Sequence, residues 1–169
     1  VNKRVSKTRL NNGNDTLNKN AALLNKASQK YGVPAHLIVA FMGLESNYGN
    51  YMGNERLIQS LATLAYDPRR SKFFTRELIA ALKLMDKKTI PIDATGSWAG
   101  AIGAVQFMPT NVIAYGVDAN NDGKVNFADV VTASSAIATE VVKDAELVKE
   151  KVKRGRKKYG GKVKKTPKA

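Results

Sequence analysis

Apolar positions along the chain recur mainly at the three- and four-residue spacing of helices, and few runs alternate with a period of two. Leu17, Leu24 and Tyr31 fall on one side of a predicted helix capped by Asp15 or Thr16 and ended by Gly32. Pro34 suits the first turn of a second helix, which runs through His36, Leu37, Val39, Phe41 and Leu44 and fails by Gly49. Ser71 can cap a third, in which Phe74, Leu78, Leu82 and Met85 recur at helical spacing, with Phe73, Phe74 and Met85 assigned to the core. A fourth is expected from Phe127 to about Val142. Gly-rich connectors lie between them, notably GNYMGN at 49–54 and GSWAGAIGAVQFMP at 96–109. With no repeat of roughly 20 to 50 residues in view, the pattern predicts a mainly α, non-repeat fold.

Length and composition narrow this further. The 169 residues, 43% of them apolar, suffice for one domain with a sizeable core. The longest apolar run, LIVAFMGL at 37–44, falls well short of the roughly 18 residues that span a bilayer, so no transmembrane segment is expected. Cysteine is absent and His36 is the single histidine, which removes disulfides, thiolate chemistry and His-based triads. His36 itself, on an apolar helix, reads as a packed or surface residue rather than a catalyst. Any chemistry therefore falls to carboxylates, hydroxyls, amides or an oxygen-ligated metal, and no organic cofactor is expected.

The net charge of +14 is unevenly placed. Residues 143–169 hold 12 Lys or Arg against 3 acids, while residues 1–142 hold 16 against 11. The expected division is a folded domain over 1–142 followed by a basic tail over 143–169. Such a balance points to a polyanionic partner: nucleic acid, anionic lipid or the acidic polymers of a bacterial wall. The first residues, VNKRVSKTRLNNGND, contain no apolar signal core. They fit a mature chain, an excised domain or a protein exported by another route.

Two features carry chemistry. Glu45 follows an uninterrupted apolar helical face and precedes SNYG, where partial desolvation and the negative end of the helix dipole would both favour its protonated form. That is how a general acid is made, although the same pattern also suits the first polar residue after a buried helix. The second feature is DANNDGKVNFAD at 118–129, which matches a Ca2+-binding EF-hand loop. Asp118, Asn120 and Asp122 occupy its first three ligand positions, Gly123 the sharp turn, Lys124 the backbone-carbonyl position, Asn126 the water-linked position and Asp129 the closing one. A single loop of this kind reads as a structural clip rather than a sensor.

These segments together resemble the membrane-bound lytic transglycosylase B family, bacterial peptidoglycan-cleaving enzymes of the lysozyme-like superfamily. The resemblance runs over roughly residues 32–130, through GVPAHLIVAFMGLESNYGNYMGN, LATLAYDPRRSKFFTRELIAAL, GSWAGAIGAVQFMP and DANNDGKVNFAD. It implies a lysozyme-like helical domain with an EF-hand-like metal loop, acting as a monomer on peptidoglycan glycan strands in the periplasm or cell envelope, or as a phage lysin. It puts the catalytic acid at Glu45, in ESNYG, with Tyr48 shaping the groove and Ser97 and Gln106 touching the sugar. Structural Ca2+ falls on the 118–129 loop. The mechanism implied uses one carboxylate, donating to the bond between N-acetylmuramic acid and N-acetylglucosamine and then taking the muramoyl C6 hydroxyl proton, so that a 1,6-anhydromuramoyl end forms.

Tyr115, just beyond the groove motif, carries a phenol able to reach a saccharide. Trp98 suits either a sugar platform or the core. A hydrolytic lysozyme on the same fold would use Glu45 with water. The stretch KVKRGRKKYGGKVKK alone would suit a nucleic-acid-binding protein, but no base-reading module accompanies it.

Overall fold

The computed structural model of the chain describes residues 5–117 together with Lys143, Glu146, Leu147 and Glu150. The 118–129 segment expected to bind Ca2+ and the helix expected over 127–142 lie outside the described residues. Helices α1 (Lys7–Lys19), α2 (Ala21–Tyr31) and α3 (Ala35–Ser46) are followed by a two-residue strand β1 (Glu55–Arg56). Next come α4 (Leu57–Tyr66), α5 (Ser71–Asp86), a second short strand β2 (Thr95–Gly96) and α6 (Pro109–Tyr115). The fold is mainly α, as the pattern predicts. Among the described residues no helix is long and apolar enough to cross a membrane.

The first two helices correct the predicted start. Ser6 caps α1 by accepting the Arg9 N–H at 3.2 Å, and Thr16 lies inside the helix with its hydroxyl donating to the Asn12 carbonyl at 2.8 Å. The helix stops at Asn20, whose side-chain amide donates back to the Thr16 carbonyl at 2.9 Å, and α2 starts one residue later. Helix α1 buries none of its residues, which is why an apolar pattern does not reveal it. The predicted stop holds: Gly32 closes α2 in the left-handed conformation, at φ 69°, with its N–H on the Ser28 carbonyl.

Pro34 stands one position outside α3 as its N-cap, and Asn47 ends the helix at φ 50°. Ile38, Val39, Met42 and Ser46 face inward. Ile38, Val39 and Met42 share one continuous buried core with Leu24 of α2, Leu57 and Leu61 of α4, and Ile102, Val105 and Phe107 of the long connector. Fully burying a side chain of this size contributes about 1.5–3 kcal/mol.

Helices α4 and α5 form the most extensive helix pair and α6 packs on α5. The buried line of α5 is Phe74, Glu77, Ala81 and Leu84, with Ala80 beside it. Leu78 and Met85 are only partly buried, and Leu82 is exposed. The predicted stripe is thus rotated by about one residue, because a carboxylate occupies an inward position that a hydrophobic pattern counts as outward. Phe73 and Phe74 meet edge-on with ring centroids 5.0 Å apart.

Candidate active site

The C-terminal turn of α3 separates two neighbours by exposure. Glu45 is exposed, whereas Ser46 is 1% exposed. The expected desolvation of Glu45 does not occur among the described residues, because Met42, Gly43 and Ser46 take the inward positions. Around Glu45 the helix instead presents Leu37, Phe41 and Leu44, all exposed among the described residues. Among the described residues the carboxylate therefore stands exposed on a partly apolar helix face.

Ser46 fixes that turn to the rest of the site. Its hydroxyl donates to the Ala104 carbonyl at 2.5 Å, with the Met42 carbonyl 3.2 Å away, and accepts the Gly49 N–H at 2.8 Å. One buried side chain thereby holds together the helix end, the SNYG turn and the 96–109 connector. Sequence reasoning missed it. The signal was available, since Ile38, Met42 and Ser46 recur at helical spacing and place Ser46 on the buried side.

The two Gly-rich connectors lie against each other. Strands β1 and β2 pair antiparallel, Glu55 opposite Gly96 and Arg56 opposite Thr95. Gly53, at φ 85°, lets them approach: a Cβ there would fall 2.1 Å from the carbonyl carbon and oxygen of Gly96. Gln106, also in the left-handed region at φ 50°, donates from its side-chain amide to the Met52 carbonyl at 3.1 Å and the Gly103 carbonyl at 2.9 Å. Among the described residues no donor occupies the amide oxygen, which is thus available to a ligand. Ser97 accepts the Ala101 N–H on its hydroxyl at 3.0 Å and shapes the loop that carries Trp98.

Tyr48 is placed differently from Ser97 and Gln106. Its hydroxyl donates to the Arg9 carbonyl at 2.8 Å, and its ring fits against Gly13 of α1 and Gly43 of α3, where a Cβ would come within 2.9 and 2.7 Å. It clamps α1 to the turn that follows Glu45. Tyr115 packs edge-on to Phe107 at 6.2 Å, and the Lys143 ammonium lies 4.9 Å above its ring while donating to the Ala114 carbonyl at 2.9 Å. The first residue of the basic stretch thus touches α6.

Trp98 belongs to the surface rather than the core, at 72% exposure. It borders a cleft of about 250 Å³ with Leu64, Asp67, Arg69, Arg70 and Phe74. Arg69 forms an ion pair with Asp67, and its hydrogen bonds hold that carboxyl down to about 2. His36 is exposed, as a surface residue. Among the described residues no cluster of His, Asp or Glu could hold a metal ion.

The helices, with a single acid at the end of α3 clipped to a glycine-rich wall, define a lysozyme-like helical domain. The family model described as the transglycosylase SLT domain matches residues 1–140. The Escherichia coli membrane-bound lytic murein transglycosylase B is 42% identical over 117 residues, covering 68% of this chain and 32% of the relative. Soluble lytic transglycosylase SltB1 from Pseudomonas aeruginosa superposes with a TM-score of 0.77 at 39% identity, covering 80% of this chain and 46% of that one. The E. coli lytic transglycosylase Slt35, solved in complex with calcium, gives 0.78 at 37% identity, with 81% and 45% covered. SltB3 from P. aeruginosa, solved with NAG-anhNAM-pentapeptide, gives 0.78 at 40% identity, with 81% and 37% covered. The chain belongs to the transglycosylase SLT domain family, on the membrane-bound lytic transglycosylase B branch that its motifs resemble. It spans about a third of the curated relative's length and less than half of each solved chain.

Proposed function

We propose that the chain is a lytic transglycosylase domain that cleaves peptidoglycan glycan strands in the cell envelope, with Glu45 as acid and then base. The observation that carries the reading is the Ser46 clip, which ties the exposed Glu45 turn to the wall bearing Ser97 and Gln106. The pentapeptide-bearing disaccharides bound by SltB3 support the substrate class.

In the proposed step, protonated Glu45 gives its proton to the oxygen between N-acetylmuramic acid C1 and N-acetylglucosamine C4, and the C1–O bond breaks. The substrate's N-acetyl group can share the positive charge at C1, one of the recognised exceptions to the two-carboxylate scheme. The Glu45 carboxylate then accepts the proton of the muramoyl C6 hydroxyl as O6 bonds to C1, which returns the acid to its starting form. Gln106 Oε1 and the Ser97 hydroxyl are proposed sugar contacts. Tyr115 is a further proposed contact through its phenol, and Tyr48 acts through its hold on the turn.

Mass spectrometry of purified peptidoglycan after digestion tests the reading. Anhydromuramoyl ends are expected; reducing ends would replace it with hydrolysis by water, and intact glycan would remove it.

The 118–129 loop is proposed to hold one structural Ca2+. Its donor set is wholly oxygen: Asp118, Asn120, Asp122 and Asp129, the Lys124 carbonyl, and Asn126 directly or through water. The calcium complex of Slt35 supports the choice of ion. A ligand bound only by the native state at a hundredfold excess over Kd adds about 2.7 kcal/mol. For a domain of this size the melting temperature should rise by about 5–10 °C with Ca2+ and fall again with chelator. An unchanged melt, with no binding heat in calorimetry, would reduce the loop to a turn.

The basic stretch over 143–169 is proposed to concentrate the domain on anionic wall polymers. Its attraction is screened over about 8 Å at physiological ionic strength, so adsorption to sacculi should weaken with salt. Removing residues 154–169 should lower low-salt adsorption far more than turnover of a small soluble glycan. Equal losses in both would refute a tethering role.

A further inference from the structure

We propose that Glu77 is a positioning residue for glycan binding, acting from α5 through Thr110 to hold the wall that carries Gln106. The inference rests on the proposed role of Gln106. Glu77 is 0% exposed, and a carboxylate in such a place needs donors on both oxygens. It has them. Oε2 accepts the Thr110 N–H at 2.9 Å, and Oε1 accepts the Thr110 hydroxyl at 2.9 Å and the Arg76 guanidinium at 3.2 Å.

These bonds complete the start of α6. Met108, its N-cap, has no side-chain acceptor to offer, Pro109 has no N–H, and the Asn111 and Val112 N–H groups turn back to the Met108 carbonyl. The Thr110 N–H is the remaining orphan, and Glu77 caps it from another helix. The chain immediately before Pro109 is Gln106, Phe107 and Met108. Phe107 exchanges both backbone hydrogen bonds with Ile102, at 2.9 and 3.1 Å, so fixing Thr110 fixes the end of the loop on which Gln106 stands in its left-handed conformation. With its oxygens occupied and no access to solvent, Glu77 is not a second catalytic carboxylate. Its place is to keep the Gln106 amide oxygen presented to the glycan.

The test is steady-state kinetics on soluble glycan strands released from peptidoglycan by an amidase. Glu77→Ala, Glu77→Gln and Thr110→Val are measured alone and in a Gln106→Ala background, with melting curves for each. Glu77→Ala is expected to raise KM about tenfold and Thr110→Val about threefold, with kcat within about twofold of wild type. Glu77→Gln, which keeps one acceptor for the Thr110 N–H, should fall between Glu77→Ala and wild type. In the Gln106→Ala background the same changes should leave KM unaltered, because the coupling is spent.

A fall in kcat with KM unchanged would mean only a loss of folded protein and would overturn the proposal. So would a KM effect that persists undiminished without Gln106. If Glu77→Ala does not fold, the Thr110→Val cycle decides. Failure of the wild-type chain to release any product would instead overturn the glycan reading itself, and this inference with it.

Discussion

Glu45→Gln should cut glycan cleavage by about a thousandfold or more, since the amide keeps the shape of the side chain but neither gives nor takes the proton on which both halves of the proposed reaction depend. The same substitution should leave the melting temperature within about 2 °C of wild type, because Glu45 is exposed. Product release from purified peptidoglycan, measured beside a thermal melt, reads both halves of this expectation. Retention of a substantial share of wild-type turnover would remove Glu45 from the reaction. A collapse of the melt would mean that it holds the fold instead.

The largest stability effect is expected at a position with no chemistry. Gly53→Ala combines a positive φ with a Cβ set 2.1 Å from the Gly96 backbone, and neither partner is a side-chain end that could swing away. The β1–β2 ladder would have to open, at a cost of about 3 kcal/mol or more. Gly32→Ala is the matched control. It has a similar φ of 69° but nothing within 4 Å of the new Cβ, so only the left-handed strain of about 1–2 kcal/mol remains. Denaturant titration of the two variants separates close approach from strain. Equal losses would mean that the two connectors do not meet as described.

Those two residues also mark what the chain discloses by itself. Glu45 is legible because it interrupts an apolar run just before a turn motif, a local event. Its exposure is not legible, since the side of α3 it occupies depends on which residues the core claims. The stop at Gly32 and the entry at Pro34 are legible for a similar reason: backbone chemistry at a single residue sets them. Ser71 begins α5 but does not cap it, because Arg70 is the N-cap and the Ser71 hydroxyl donates to the Ala65 carbonyl at 2.6 Å.

Helices α4 and α6 are not legible because each is short and neither N-cap residue, Arg56 or Met108, caps with its own side chain. Helix α1 was hidden by its polarity. The glycines of 49–54 and 96–109 mark connectors in the sequence, but the reason Gly53 is required lies on the opposite segment. Glu77 illustrates the limit most sharply. A polar letter inside a hydrophobic stripe rotates the inferred face, and the donors that make its burial tolerable, on Arg76 and Thr110, can be identified only once α5 and α6 are packed.

The Ser46 clip has a consequence for the order in which the molecule becomes competent. Tyr48 reaches Arg9 across 39 positions, whereas Ser46 reaches Ala104 across 58 and Gln106 reaches Met52 across 54. Closing longer loops costs more entropy, and contacts between distant positions form later than local ones. In a chain synthesised from its N-terminus, the helix bearing Glu45 and the clamp onto α1 have all their residues while the opposing wall does not yet exist. The proposed site on this account is completed late and all at once, when residues past 104 have been made and docked against a turn that has long been waiting for them.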